Sequence, residues 1–506
     1  MSNVHEKLAA ALDALKTLQE GGTVAVRARD LSRTNRERLV AGGFLWEVMK
    51  GWYLPARPDV PRGESTAWYT SYWDFCASYL HERFDRNWCL SPEQSILLHV
   101  GQKRVPEQLI VRSPRGHNNT ATFPHNTSLL DLKAEIPEEQ SIMEKEGMRV
   151  YSVPDALLAC PASFYKNRPV EARAALAMIP DASVLLPDLL DKGLSVVAGR
   201  LAGAMRNIGR DRIAAEILAT MKAATYDVRE QDPFFRVVDF LPTPSPHVNR
   251  LHLMWRKMRD EMPTFPFAPG LPEGVAAYLH GVDKAYVDDA YHSLSIEGYR
   301  VSPELIERVR SGNWNPESRE DKNQRDTMAA SGYWQAFCVV RESLEKILSG
   351  ENPGRIVDQD HGGWYRSLFA PSVGAGILKP SDLAGYRNDQ VFLRGSMYVP
   401  PGKEAARELM PAFFELLEQE TDPGARAVLG HFFFVNIHPY MDGNGRMGRF
   451  VMNAMLASGG YPWTVIPVER RDDYMAALEE ASINQNIAPF ATLVAGLVKQ
   501  QMKISG

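Results

Sequence analysis

The chain has 506 residues, of which 44% are apolar and 24% charged, and a net charge of −5. At about 100–200 residues per domain it has room for roughly two to four domains, and its composition excludes disorder, collagen and a small disulfide scaffold for the chain as a whole. The charge is no global signature of a nucleic-acid protein, and Cys76, Cys89, Cys160 and Cys338 lie far apart with no Cys-x-x-Cys pair, so neither a zinc site nor a disulfide framework is suggested. No signal-peptide core opens the chain and no apolar run approaches the roughly 20 residues of a membrane helix, so a soluble cytoplasmic protein is expected.

Residues 5–19 carry Leu8, Leu12 and Leu15 at helical spacing and end at Gly21-Gly22. A short helix-like stretch at Arg27–Leu31 follows, then a helix from Arg33 to Leu39 that Ser32 is placed to cap. Phe44–Val48, Lys50-Gly51 and Trp52–Leu54 read as strand, turn, strand. Three short helices and a hairpin predict a winged helix-turn-helix over residues 1–64. Between Thr23 and Arg62 eight Arg or Lys stand against four Asp or Glu. Arg33, Arg36 and Arg38, on the expected recognition helix, are candidate DNA phosphate contacts, with a solvated helix face as the competing explanation.

Residues 65–225 read as mixed α/β. Trp and Tyr cluster at 68–79, strand-like runs fall near 95–112 and 148–153, and an Ala- and Leu-rich helical pattern runs from Ala156 to Thr225. The stretch Gly43-Phe44-Leu45-Trp46-Glu47-Val48-Met49-Lys50-Gly51-Trp52-Tyr53, with the later Val150–Pro154 and Asp155-Ala156-Leu157-Leu158, resembles AbiEi-type antitoxins. That resemblance implies a transcriptional regulator. Pro242, Pro244 and Pro246 cannot lie in a helix interior or a central strand, so a linker is expected at 226–250 and a second, mainly helical domain at 251–506.

The chemistry is concentrated in His438-Pro439-Tyr440-Met441-Asp442-Gly443-Asn444-Gly445-Arg446-Met447-Gly448-Arg449. Glycines flanking an asparagine let the backbone turn sharply and offer N–H groups to an anion, and the helical pattern of Arg446–Ser458 puts a helix start there. Arg446 and Arg449, three apart, share one side of the first turn, where the helix dipole repels cations unless an anion lies between them. Asp442 is a hard oxygen ligand suited to Mg²⁺ on phosphates, and His438 is a candidate proton acceptor. The composition is that of a phosphoryl- or nucleotidyl-transfer site. The same string contains Gly-x-Gly-x-x-Gly, with Phe432–Ile437 ahead of it as a conceivable strand. Some 60 residues remain after it, too few for a dinucleotide fold. His431 repeats on the face of His438 and reads as core or as support behind the site.

The twelve residues resemble the Fic motif, His-Pro-Phe-x-(Asp/Glu)-Gly-Asn-Gly-Arg-x-x-Arg, with Tyr440 in place of the usual Phe. Similarity runs from about 251 to 500 and takes in Gly385-Tyr386-Arg387. The fold it implies is mainly α: an all-α helical core with a β-hairpin flap, here preceded by the winged helix and the mixed α/β segment. Val391, Phe392 and Leu393, with Met397–Val399 across Arg394-Gly395-Ser396, would form the flap that holds a target by strand addition.

The activity implied is transfer of AMP from ATP to a Ser, Thr or Tyr hydroxyl of a target protein. His438 would act as base and Asp442 would hold Mg²⁺. Gly443, Asn444 and Gly445 would form the anion hole, Arg446 would grip the β-phosphate and Arg449 the γ-phosphate. Tyr474 would line the adenine pocket. Gly445, where the family's kinase branch carries Lys, favours nucleotidyl transfer. Ser293-Leu294-Ser295-Ile296-Glu297-Gly298 closes a helix expected over 273–297 and fits the family's inhibitory segment, which Ser293 opens and in which Glu297 would pair with Arg449 and block productive placement of the γ-phosphate. Removal of AMP, with Glu297 positioning water, and a DNA-binding regulator that uses this domain as a nucleotide sensor are the alternatives. DNA and a second copy of the chain are further candidate partners.

Overall fold

A computed structural model describes residues 4–58, 65–237, 240–313 and 324–505. The end of the expected winged helix (59–64) and two residues of the expected linker (238–239) lie outside the described residues. The chain divides into two compact units, residues 1–250 with 392–399, and 251–391 with 400–506.

The first unit opens with α1 (Val4–Glu20), β1 (Val26–Arg27), α2 (Arg33–Ala41), β2 (Leu45–Met49) and β3 (Trp52–Pro55), and its antiparallel strands lie in the order β1-β3-β2. The stretch expected as a short helix at 27–31 is instead the end of β1 and a turn. Val26 and Arg27 pair with Tyr53 and Trp52, and Asp30 accepts the Arg27 backbone N–H at 2.8 Å, a side-chain turn that competes with a helix. Ser32 caps α2 by accepting from the Asn35 N–H.

Next come α3 (Thr66–Phe84), β4 (Cys89–Leu90), α4 (Pro92–His99), β5 (Gln108–Ser113), β6 (Asn119–Thr122), β7 (Ser128–Lys133), β8 (Ile142–Lys145) and β9 (Met148–Tyr151). They form a sheet in the order β4-β5-β7-β6 and the hairpin β8-β9. Trp68, Tyr72, Phe75 and Tyr79 recur along one face of α3 and are buried with Phe123 and Trp88. The strand expected from residue 95 is helical to His99. Ser91 caps α4 and Pro92 opens it, and Ile96, Leu97 and Leu98 are all buried, so no alternating pattern could show. Helices α5 (Val153–Ala159), α6 (Ala162–Asn167), α7 (Pro169–Ala177), α8 (Leu186–Asp191), α9 (Ser195–Asn207) and α10 (Asp211–Ala223) follow. Pro246 opens α11 (Pro246–Glu261).

Residues 392–399 belong to this unit. The expected flap pattern forms a turn, with Ser396 N–H donating to the Leu393 carbonyl at 3.2 Å, and no strand ladder joins its two arms. The Met397 carbonyl instead accepts from Val105 N–H at 2.8 Å, and Gly395 N–H donates to Thr66 Oγ1 at 2.9 Å. Backbone groups spent this way are unavailable for pairing across the turn.

The second unit is helical: α12 (Val275–Ile296), α13 (Pro303–Arg310), α14 (Gln324–Leu348), α15 (Pro353–Gly374), α16 (Lys403–Gln419), α17 (Pro423–Ile437), α18 (Asn444–Ala457), α19 (Arg471–Asn484) and α20 (Ala488–Ser505). Nearly every residue of α17 and α18 is buried, as expected of central helices apolar all round. At the α14–α15 crossing a Cβ on Gly332 would lie 1.9 Å from the Leu368 carbonyl oxygen. Gly332→Ala should therefore push the helices apart and destabilise this unit by about 1–3 kcal/mol. An unchanged urea midpoint for its helical signal would contradict the crossing.

Candidate active site

The site is assembled at the junction of α17 and α18. His438 ends α17 in the left-handed conformation (φ 54°, ψ 59°), a region that few non-glycine residues occupy. Arg387 braces it. This buried side chain donates from Nε to the His438 carbonyl (2.8 Å) and from Nη1 to the Asp389 carbonyl (2.8 Å). Its backbone N–H donates to the Pro439 carbonyl (2.9 Å). The Gly385-Tyr386-Arg387 string was legible in the sequence, but not its function as a brace.

His438 Nδ1 faces the Val435 carbonyl at 3.2 Å. Burial pushes the imidazole down to about 4, against the upward effect of that hydrogen bond. The ring is therefore neutral at pH 7. With Nδ1–H donating to the carbonyl, Nε2 carries a lone pair, as a proton acceptor requires.

The loop is stapled by Asn444, whose Oδ1 accepts from Tyr440 N–H (3.0 Å) and whose Nδ2 donates to the Tyr440 carbonyl (2.9 Å). Its amide side chain is thus engaged in the loop, and what it can offer an anion is its backbone N–H. Gly443 (φ 81°) precedes the helix, and a Cβ there would also lie 2.8 Å from the Phe369 ring. The first N–H groups of α18, on Asn444, Gly445 and Arg446, have no carbonyl beneath them and form an anion nest. Tyr440 fills the aromatic position by stacking on Tyr365, with centroids 3.8 Å apart. A helix, α17, stands where the dinucleotide-fold alternative needs a strand.

Both arginines are buried, at 1% exposure for Arg446 and 2% for Arg449. Arg449 is grasped by the end of α12: Nε donates to Ser293 Oγ (2.6 Å), and Nη2 to the Ser293 carbonyl (3.0 Å) and to Glu297 Oε1 (2.7 Å). A Cβ on Gly445 would lie 2.3 Å from that same Oε1, so the carboxylate sits over the helix N-terminus. Burial alone would raise the Glu297 carboxyl, but Arg449 and Arg446 hold it below its ordinary value.

Arg446 is placed differently. Its Nη2 is 3.6 Å from Asp442 Oδ1, while Nε and Nη2 are buried without a hydrogen-bond partner. Asp442 projects outward with 64% of its side chain exposed and accepts the Gly443 N–H at 2.6 Å. Among the described residues no group of three His, Cys, Asp or Glu could enclose a metal. A lone carboxylate at the nest fits Mg²⁺ carried on phosphates, since that ion is usually bound through one or two carboxylates, substrate oxygens and water.

Tyr474 is 1% exposed, and its hydroxyl meets His431 Nε2 at 2.9 Å. The structure packs it against His431 in the core. His431 is likewise buried, which with Arg449 nearby pushes it down to about 3. One turn before Ser293, the buried Asp289 accepts from Tyr333 Oη at 2.6 Å. Nothing in the sequence flagged that residue, because a lone aspartate inside a helix reads as an exposed one.

In the first unit, Arg33 is exposed and paired with Glu37 (2.8 Å). Arg36 turns inward to the Ala28 carbonyl and lies over the Tyr53 ring, and Arg38 is half-exposed. Val391 falls in the second unit, whereas Phe392 and Leu393 fall in the first.

Residues 365–456 match the family described as Fic/DOC. Curated relatives named protein adenylyltransferase Fic include that of Drosophila willistoni, 34% identical over 236 residues (46% of this chain, 44% of that one). The Nematostella vectensis protein of that name is 29% identical over 229 residues (44% and 50%). The chain spans about half the length of the curated relatives it matches. A solved fragment of Fic-1 from C. elegans is 21% identical with a TM-score of 0.37, covering 66% of this chain and 94% of that one.

The depressed His438 has a direct consequence. Between about pH 4 and 6.5 the unfolded chain binds a proton that the folded site refuses, so this group's contribution to stability rises with pH across that window and is complete above it. Titration of the His438 imidazole by NMR should give a midpoint near 4. A midpoint near 6.5 would contradict the burial of the ring. The motif loop, the nest and both arginines of α18 fall within the residues that match the Fic/DOC family.

Proposed function

We propose that this chain transfers AMP from ATP to a hydroxyl side chain of a protein, and that Glu297 holds it in a self-inhibited state. The observation that carries the reading is the three-point grasp of Arg449 by Ser293 and Glu297 over the N-terminus of α18, beside a neutral His438. A helix start with two buried guanidiniums is built for phosphate, and an acidic side chain presently occupies it.

In the proposed reaction His438 Nε2 takes the proton of a Ser, Thr or Tyr hydroxyl. The oxygen attacks the α-phosphorus of ATP, the bond from that phosphorus to the α,β-bridging oxygen breaks, and pyrophosphate leaves. The backbone N–H groups of α18 and the Arg446 guanidinium stabilise the phosphate oxygens, an electrostatic contribution already oriented before the reaction. Asp442 would hold Mg²⁺, which when bound neutralises charge on the phosphates. Arg449, once freed from Glu297, is the group left to receive the γ-phosphate. A DNA contact by the N-terminal element would rest on Arg33 and Arg38, since Arg36 is engaged with Ala28 and Tyr53.

With α-labelled ATP, Mg²⁺ and cell lysate, Glu297→Gly should raise label transfer at least about tenfold over wild type, equivalent to ~1.4 kcal/mol of relieved competition. Adding His438→Ala should lower it again by roughly 10²- to 10⁴-fold, the usual worth of a positioned base. Equal label in wild type and Glu297→Gly would sink the inhibitory reading, and no label in any sample would sink AMP transfer. Chelation of divalent ions should abolish transfer by Glu297→Gly and so should Asp442→Ala, whereas undiminished transfer in EDTA would remove Asp442 from the proposed metal role.

A further inference from the structure

Arg446 presents a problem that the inhibitory contact does not solve. It is buried, its Nε and Nη2 lack hydrogen-bond partners, and the nearest carboxylate oxygen is 3.6 Å away on the exposed Asp442. A buried guanidinium without a full set of partners needs something to hold its plane. Two rings flank it: its Cζ lies 5.0 Å from the centroid of Phe369, on α15, and 5.2 Å from that of Tyr299. Both distances are within the roughly 6 Å range of cation–π attraction, which strengthens where water is excluded. Rings also leave the N–H edge of a guanidinium uncommitted, as a phosphate ligand requires.

Tyr299 reaches this place through the way α12 ends. Glu297 caps the helix and Gly298 follows at φ 84°. Gly298 N–H donates to the Ser295 carbonyl (3.0 Å), and Tyr299 N–H donates to the Leu294 carbonyl (3.1 Å). This pair of bonds is the Schellman closure, which turns the chain sharply back across the helix end. The same closure therefore fixes Glu297 on Arg449 and Tyr299 over Arg446. On its other contact, the Tyr299 ring lies 5.1 Å from the Arg325 guanidinium.

We propose that Tyr299 is a positioning residue for Arg446, so that the segment 293–299 governs both α18 guanidiniums, Arg449 through a carboxylate and Arg446 through an aromatic face. The proposal rests on the reading of this site as an ATP site. Its two contacts act in opposite directions. Glu297 competes with phosphate for Arg449, whereas Tyr299 leaves Arg446 oriented for phosphate. Loss of the carboxylate alone should open the site, and loss of the ring should weaken the opened site.

The test is direct binding of ATP with Mg²⁺ by calorimetry, in the full chain carrying Glu297→Gly. Adding Tyr299→Leu should raise Kd by about 5- to 30-fold, the range expected for a desolvated cation–π contact. Tyr299→Phe, which keeps the ring, should stay within about twofold. In an Arg446→Ala background Tyr299→Leu should add nothing, because the group it orients is gone. Tyr299→Met serves as a second ringless variant should the leucine form fail to fold. Equal Kd for the ringed and ringless variants would overturn the proposal, as would the same loss in the Arg446→Ala background, which would mark Tyr299 as structural only. Failure of Glu297→Gly itself to bind ATP would overturn the ATP-site reading and this proposal with it, an outcome distinct from binding that ignores Tyr299.

Discussion

Two charges in this structure stand where helix electrostatics disfavours them, and their pairing organises the rest of the site. Arg449 lies in the first turns of α18, where the helix dipole repels a cation, and Glu297 caps the C-terminus of α12, where it repels an anion. Each placement alone is unfavourable, and burial makes it worse because a low dielectric magnifies an unpaired charge. Brought to 2.7 Å, the two relieve each other. Burial pulls the Arg449 pKa down, but Glu297 outweighs it and leaves the guanidinium above its ordinary value, while the Glu297 carboxyl is held below its own. Such a pair can still cost more in lost hydration than it returns. That imbalance suits a contact proposed to be exchanged for a phosphate rather than to stabilise the fold.

The backbone around this pair is held by bonds that involve no reacting atom. Arg387 donates from its side chain to the carbonyls of His438 and Asp389 and from its own N–H to the Pro439 carbonyl. Asn444 closes the loop on Tyr440, and Phe369 leaves no space for a side chain at Gly443. The strained φ of His438 is thus distributed over a rigid surround, which is how a scaffold keeps a few groups in one geometry without leaving them to rotamer chance.

How much of this was legible in the sequence depended on how local each signal was. The run from His438 to Arg449 is contiguous, and each residue type already states its chemistry. Ser293 and Glu297 were legible for the same reason, one helical turn apart ahead of a glycine. The brace by Arg387 and the ring of Tyr299 over Arg446 were not, because each joins residues tens to more than a hundred positions apart, and arginine and tyrosine are common enough to carry no local flag. The contact of Tyr474 with His431 was not legible either, because the two residues are 43 positions apart. In the first unit, residues 27–31 misled because two strand residues and an aspartate-capped turn look like one turn of helix. The arms around Arg394 alternate as a hairpin should, yet the Met397 carbonyl bonds Val105 and the Gly395 N–H of the turn bonds Thr66, partners that no periodicity can announce.

The directions in which the site's groups are shifted also constrain how such a domain can be controlled. The Glu297 carboxyl is held below its ordinary value by the two arginines, so acidification within the neutral range does not discharge it and loosen its hold on Arg449. His438 is pushed down to about 4 by burial, so it is already in its accepting form and gains nothing from a rise in pH. Neither Glu297 nor His438 titrates where a cell operates, which leaves displacement as the way to exchange the contact between Glu297 and Arg449. Something must bind Arg449 in place of Glu297, or the end of α12 must move. Because the Schellman closure fixes Glu297 and Tyr299 as one piece, a motion of that helix end large enough to free Arg449 also acts on the ring beside Arg446. A shift confined to the Glu297 side chain would break that one contact, leave Arg449 held by Ser293 and leave Arg446 in place. On the proposed reading, the productive route is therefore a rotamer change of Glu297 on an intact α12, with the helix end kept where it orients Arg446.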